Sequence, residues 1–430
     1  MQGAWALAGL LLIAAFLPAK PHVRLTATLG VVLVVLAVFQ TTGGRGSVSF
    51  TASYVVVFAV AAIALLRFRS ESTPWVFVPL LVYLALGVFA VWDGGSGQSG
   101  GLINIIFAVG AWTAGLFLGV LYRDNPKVER RLVVLLLLLV TFELVVCLLQ
   151  SVGVDIFSVE GRTGELEGGR SNGTYTHPST IGKVLTLTAV LLLPSTRSRD
   201  GVTRRLAMSG FVISILPILI SLSRANLLAI GAMVLVWSFV QPREKFFGRR
   251  FTLPAMFGVF TLVFLDTIFA RFQESTGERD HFMTVALEQL ARDPWFGVGP
   301  AGYIRTVGQY DPLTADGWPV HNIFVLQAVE LGIVGAALFY LPFCVVLIRA
   351  FRFIRVPGRR GDFARAIIAY LPALIVIGWT GWGLLAPGAL ALMCFVFAFA
   401  YVQMKAPDRA SNDLRALRVR AAIRSGEGPR

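Results

Sequence analysis

The sequence predicts an all-α, polytopic integral membrane protein with about 12–14 transmembrane helices. Three observations carry that expectation. Of 430 residues, 56% are hydrophobic and only 14% are charged, against about 25% charged in ordinary soluble domains. Mean hydropathy is +0.73. The apolar residues also fall in unbroken runs, most of them near the ~20 residues that a helix needs to cross about 30 Å of hydrocarbon. This excludes a soluble globular chain, a disordered one and a fibrous one.

Apolar runs occupy 4–17, 25–39, 50–66, 73–92, 101–122, 132–153, 179–194, 205–222, 225–240, 251–269, 322–348, 363–382 and 386–403. The first two are short, which suits tilted, interfacial or partly re-entrant segments. The first basic residue is Lys20, so the start lacks the charged n-region of a cleavable signal peptide and is expected to stay as a membrane helix. Cys147, Cys344 and Cys394 all lie inside apolar runs, which leaves no disulfide framework and no zinc spacing.

The net charge of +14 does not point to nucleic acid. The links around Lys20, Arg67, Arg123–Arg131, Arg197–Arg205, Arg243–Arg250 and Arg349–Arg365, with the tail from Lys405, all fall on one side when successive runs cross the membrane, and hold 29 of the 38 Lys and Arg. The positive-inside rule makes that side cytoplasmic and the N-terminus external. The regions are then 1–153 (N-terminal helices), 154–178 (first external loop), 179–269 (central helices), 270–321 (long external loop), 322–403 (C-terminal helices) and 404–430 (basic cytoplasmic tail, a topology determinant). Cytoplasmic links are short and basic. The two long segments face outward, and long loops of this kind more often serve function than connection.

The outward segments and their edges hold the residues with chemical potential. His321 stands where the long loop re-enters the bilayer, a place where an imidazole is partly desolvated yet can reach a hydroxyl from water, as a general base must. It is followed by Asn322, then Gln327, Glu330 and Gly332 on an apolar run. Arg224, in Ser221-Leu-Ser-Arg-Ala-Asn226, is held at the outer boundary, where a guanidinium is costly without an anion and its planar fork suits phosphate. Lipid snorkelling would explain it as well.

Arg279, Arg292 and Arg305 share that outer side. Arg292–Pro300 reads as a turn, and its Gly-x-Gly is poor evidence for a phosphate loop because no strand precedes it and no Gly-Lys-Ser follows. Pro178 near a helix start, with Ser179 or Thr180 as caps, gives a sufficient structural reading of the end of the first loop, beside which His177 and Lys183 are further candidates. Glu143, alone in an apolar run, is expected to face the bundle interior and pair with Lys183. No metal-ligand cluster is evident.

Taken in order, Gly173-Thr-Tyr-x-His-Pro-Ser, Ser-Leu-Ser-Arg-Ala-Asn, an external Glu-Arg, Asp-Pro-Trp-Phe-Gly-Val-Gly-Pro and His-Asn-x8-Glu-Leu-Gly-x-x-Gly resemble the O-antigen ligase and O-antigen (exopolysaccharide) polymerase superfamily, over about residues 170–345. The resemblance implies a GT-C-like fold and an inverting glycosyltransferase of the inner membrane, facing the periplasm, that needs no cofactor or metal. Its donor would be a glycan on undecaprenyl diphosphate, its acceptor another glycan or lipid A-core. By motif, Arg224 and Arg279 would hold the diphosphate and His321 would activate the acceptor, with Asn322, Glu330, His177, Lys183 and Arg305 as supporting residues. Position 179 is Ser where many relatives have Asn. A chain-length regulator is a further partner the resemblance brings in.

The resemblance favours a polymerase of lipid-linked repeats over a ligase to lipid A-core, with His177-Pro178, which resembles the polymerases, as the feature that tips it. A flippase should show a charged midplane pathway or repeat symmetry, and here the midplane offers Glu143 and little else. A scaffold has no use for Arg224, Arg279 and His321 on one side.

Overall fold

A computed structural model describes residues 77–94, 99–124, 127–154, 156, 170–175, 177–241 and 277–405. The expected helices at 4–17, 25–39, 50–66 and 251–269, and the tail from 406, lie outside the described residues. Every regular element among the described residues is helical. In chain order these are α1 Val78–Gly94, α2 Ser99–Asp124, α3 Lys127–Ser151, α4 Pro178–Leu192, α5 Gly201–Ile220, α6 Arg224–Val240, α7 Gly277–Arg292, α8 Tyr303–Val307, α9 Pro312–Ala315, α10 Ile323–Phe353, α11 Arg359–Thr380 and α12 Pro387–Lys405. A 3₁₀ turn, Leu193–Arg197, extends α4. Seven segments are long and apolar enough to cross a membrane, and two shorter apolar helices, Val78–Ala90 and Arg224–Val240, accompany them. The chain is a multi-pass membrane protein.

Helices in lipid gain little from burying apolar surface against one another, so close packing must do the work. On α2, Gly115 and Gly119 form a small-xxx-small pair. A Cβ at Gly115 would stand 2.5 Å from the carbonyl oxygen of Phe395, and one at Gly119 would stand 2.9 Å from Val402. The backbones of α2 and α12 are thus nearly in contact, and Gln403 Nε2 donates to the Gly119 carbonyl at 2.7 Å. At the centre stands α4, buried from Thr180 to Leu192 and packed against α3, α5, α6, α11 and α12.

The basic links gather at one end of the bundle. Arg197, past the end of α4, pairs with Asp362 at 3.2 Å, Arg365 pairs with the same carboxylate at 2.6 Å, and Arg359 lies 3.9 Å over the ring of Tyr122 near the end of α2. A rise of 1.5 Å per residue puts the start of α4 roughly 28 Å away.

One expected helix is in fact two. The apolar run 322–348 folds back on itself within α10, where Gly332 takes φ 66° and ψ 176°. A straight helix would separate Ile323 and Tyr340 by roughly 26 Å. Instead Tyr340 donates its hydroxyl to the Ile323 carbonyl at 3.1 Å, and the rings of Phe324 and Tyr340 are 5.6 Å apart. The continuous stretch Ile323–Phe353 therefore holds one short arm before Gly332 and one membrane-length arm after it. Ile323 lies beside Tyr340, two turns past the bend, so His321 sits about 12 Å below it along the second arm.

The bend also frees backbone groups that a helix would use, and the Asp-Pro-Trp-Phe-Gly-Val-Gly-Pro segment takes them up. Val298 N donates to the Val329 carbonyl at 3.0 Å, Gly299 N to the Glu330 carbonyl at 2.7 Å, and Ile333 N to the Pro294 carbonyl at 2.8 Å. A Cβ at Gly332 would lie 2.0 Å from the Trp295 carbonyl oxygen, in a backbone region essentially reserved for glycine. The Gly-x-Gly is a clasp on a broken helix. Gly332→Ala is expected to lower the unfolding temperature and the yield of monodisperse protein in size-exclusion chromatography. Gly201→Ala, whose added methyl meets nothing within 4 Å, should leave both unchanged. Equal behaviour of the two variants would show that the clasp does not hold the external segment.

Candidate functional site

The end opposite the basic links is built from α3 upward. Glu143, Cys147 and Gln150 share one face of α3 at helical spacing, and the segment 170–175 lies along it. Glu143 accepts from the Thr174 hydroxyl at 2.6 Å and from its backbone N–H at 3.1 Å. Ser171 donates to the Cys147 carbonyl at 3.0 Å. Gln150 accepts from the N–H of Asn172 at 3.0 Å and of Gly173 at 2.9 Å, and donates to the Gly173 carbonyl at 2.8 Å. The expected Glu143–Lys183 pair does not form. A threonine hydroxyl and its amide reach the carboxylate first, and that bond fixes where the chain enters α4.

At the start of α4 the cap is His177 rather than Ser179 or Thr180. Its Nδ1 accepts from the Ser179 N–H at 3.0 Å, so that nitrogen carries the lone pair and is also shared with the Ser179 hydroxyl at 2.7 Å. Ser179 Oγ in turn accepts from Lys183 Nζ at 3.2 Å. The polarity of the chain is fixed: ammonium to hydroxyl to imidazole. Lys183 is 5% exposed and its ammonium packs against Gly383 in the α11–α12 connection. Among the described residues it has no carboxylate partner, a costly state for a cation at membrane depth.

Arg224 opens α6 after Ser223, behind a turn in which Leu222 is forced to φ 49°. Arg170 donates to the Ser221 carbonyl of this turn at 3.2 Å. Two residues on, buried Asn226 donates to the Ser179 carbonyl at 2.8 Å. The Ser-Leu-Ser-Arg-Ala-Asn segment is thereby tied to the same turn of α4 that carries Lys183.

The long external segment folds over this end with a core of its own, Phe282, Val285, Ala286, Tyr303, Val307, Val320, Leu326 and Val329. Phe282 packs its ring 5.8 Å from that of His321. His321 is half-buried, and its Nδ1 is buried without a hydrogen-bond partner among the described residues. Burial holds its pKa below the ordinary histidine value, and the positive charges of Arg279 and then Lys183 push the same way, against smaller opposing effects of Glu278 and the Pro319 carbonyl. At neutral pH the imidazole is uncharged. His321, Arg279 and Lys183 therefore lie within electrostatic reach of one another, although they come from three separate stretches of chain.

Asn322 is the N-cap of α10, accepting from Phe324 N at 2.9 Å and Val325 N at 3.2 Å. Its Nδ2 is buried without a partner among the described residues. Glu330 receives the backbone N–H groups of Ala301 and Tyr303, which makes it an anchor for the clasp. Arg305 is not brought to the group: it is exposed on α8 and makes no hydrogen bond or ion pair among the described residues. The pair His281–Asp311, 2.7 Å apart, ties α7 to α9, where Asp311 also caps Thr314.

Residues 209–340 match the family described as O-antigen ligase. This stretch is similar to that family. It runs from within α5 to the middle of the second arm of α10, and holds Arg224, Arg279, Arg305, His321, Asn322 and Glu330. His177 and Lys183 lie upstream of the matched stretch and meet it through Ser179. No curated protein matches the chain.

Sequence reasoning passed over Asn226 and Phe282 as working parts. Asn226 was visible inside the quoted motif, but nothing local says that its amide crosses to another helix. Phe282 stood in a helical pattern that gave no sign of facing His321. Asn226→Ala is expected to cost about 1–3 kcal/mol of stability by leaving the Ser179 carbonyl unpaired, read as a lower thermal midpoint. No change in the midpoint would mean that α6 is not tied to α4 there.

Proposed function

We propose that the chain is a glycosyltransferase that polymerises oligosaccharide repeats carried on undecaprenyl diphosphate into a surface polysaccharide, at the outer face of the inner membrane. The observation that carries this reading is a half-buried histidine packed against Phe282 beneath a folded external segment, within electrostatic reach of two cations, Arg279 and Lys183. Transfer with inversion needs three things at once: a base for the acceptor hydroxyl, positive charge for the leaving diphosphate, and restricted water. His321 takes the proton as the acceptor oxygen attacks the anomeric carbon. The bond from that carbon to the diphosphate oxygen breaks, and the electron pair leaves with the phosphate. Arg279 and Arg224 offer forked donors to the departing oxygens, and Lys183 supplies a buried charge that has no carboxylate partner among the described residues. Fixed donors in a site of low dielectric act on the charge as it develops. Asn322 holds the first turn of α10 beneath His321, and the His177–Ser179 pair holds Lys183.

A ligase that passes the glycan to lipid A-core would use the same groups, and the family's description as O-antigen ligase keeps that second reading. Complementation of a deletion strain separates them. Wild-type protein should restore a ladder of surface glycan, and His321→Ala, at equal expression, should leave single repeats on the acceptor. Loss of all acceptor-linked glycan, with polymer building up on undecaprenyl diphosphate, would identify the ligase instead.

Two further outcomes follow from the charges. Removing one donor to the leaving group, as in Arg279→Ala, Arg224→Ala or Lys183→Met, should slow turnover by about 10²–10³. Because His321 titrates below its ordinary value of about 6.5, kcat/KM should hold steady from neutral pH down past that value and fall only below it. An acid limb at or above 6.5 would contradict His321 as the base.

A further inference from the structure

The basic end of the bundle has arginines that topology alone does not explain. A topology-determining arginine extends into water. Here Arg349, Arg359 and Arg360 are half-buried and lie over aromatic rings. Arg349 stacks over Tyr401 at 4.7 Å and over Phe353 at 5.6 Å. Arg360 covers Phe353 at 3.3 Å, so two guanidiniums share one ring. Arg359 covers Tyr122 at 3.9 Å, and Tyr122 is 5.0 Å from Phe399, which sits two residues before Tyr401 on α12. Stacking satisfies the faces of these groups but not their N–H edges. Arg349 Nε and both Arg359 Nε and a terminal Arg359 nitrogen are buried with no hydrogen-bond partner among the described residues.

The acidic groups nearby whose side chains are described do not meet this demand. Asp362 is already engaged by Arg197 and Arg365. The charge of Glu129 is felt at Tyr122, yet Glu129 forms no ion pair with Arg359 among the described residues. Like charges held this close in a half-buried setting require an anion that accepts several hydrogen bonds. The cluster lies where α2, α10 and α12 end and α11 begins, away from the proposed transferase site.

We infer that Arg349 and Arg359, flanked by Arg360, form a binding site for the phosphate of an anionic glycerophospholipid at the cytoplasmic rim. Planar guanidinium forks match phosphate oxygens in pairs, and basic recesses between helices on that side suit anionic headgroups. The acyl chains would lie along the lipid-facing side of α10, where Ile348 and Phe351 are exposed. This site is independent of the transferase reading.

The test uses the full chain purified in detergent, with phosphatidylglycerol, phosphatidylcholine and inorganic phosphate as probes. Native mass spectrometry should find phosphatidylglycerol retained through delipidation and phosphatidylcholine lost. The double variant Arg349→Gln/Arg359→Gln should weaken retention about tenfold or more, whereas Arg352→Gln/Arg355→Gln, which removes equal charge from exposed positions, should not. Equal retention of both lipids, or equal weakening by both double variants, would overturn the proposal. So would a thermal gain from inorganic phosphate alone matching that from phosphatidylglycerol, because the ligand would then be soluble phosphate. If the first double variant does not fold, the wild-type comparison among the three probes still decides.

Discussion

The reversal of α10 at Gly332 is the constraint on which the rest of the external half depends. A straight helix would carry His321 out into water and leave the clasp segment nothing to bond. With the reversal, carbonyls of Val329 and Glu330 turn outward to the amides of Val298 and Gly299, and His321 descends to the depth of Tyr340. The same bend thus pins the external segment and lowers its most reactive residue toward α4. Irregular backbone at membrane depth is tolerated only where protein or a polar cavity satisfies it, and here the clasp does so.

Charge is distributed with a consistent logic. Two buried carboxylates stand near the site, Glu143 and Glu330, and both are spent on the chain itself. Glu143 holds Thr174, and Glu330 holds the amides of Ala301 and Tyr303. Neither neutralises a site cation. At His321, burial and then the charges of Arg279 and Lys183 outweigh that of Glu278, which disfavours the charged imidazole and favours an anionic group beside it. In the proposed reaction, base and phosphate holder support each other: the charges offered to the leaving group also disfavour protonation of the base.

Much of this was legible in the sequence because hydropathy records which segments are helical. Each described apolar run except 322–348 became a single helix within a few residues, and the basic links of α2–α3, α4–α5 and α10–α11 came to one end as their charges required. The resemblance to O-antigen ligases located Arg279 and His321 together. Hydropathy could not register the bend, because Glu-Leu-Gly sits in a continuous apolar run and a φ/ψ reversal costs no hydrophobicity. It could not place Glu143 either, since the competing Thr174 is distant in sequence. The cap of α4 was misread for a related reason: Ser is a preferred N-cap residue, while the histidine before proline caps here through a shared Nδ1.

The central claim is that a base and a cluster of cations at the outer end of this bundle drive glycan transfer from a lipid diphosphate. The most direct measurement is single-turnover release of undecaprenyl diphosphate from a defined lipid-linked oligosaccharide, using purified protein reconstituted in bilayers with acceptor. Wild-type protein should release it in step with glycan elongation, while His321→Ala binds the donor with unchanged affinity and releases almost none. Release at the wild-type rate by His321→Ala would contradict the claim.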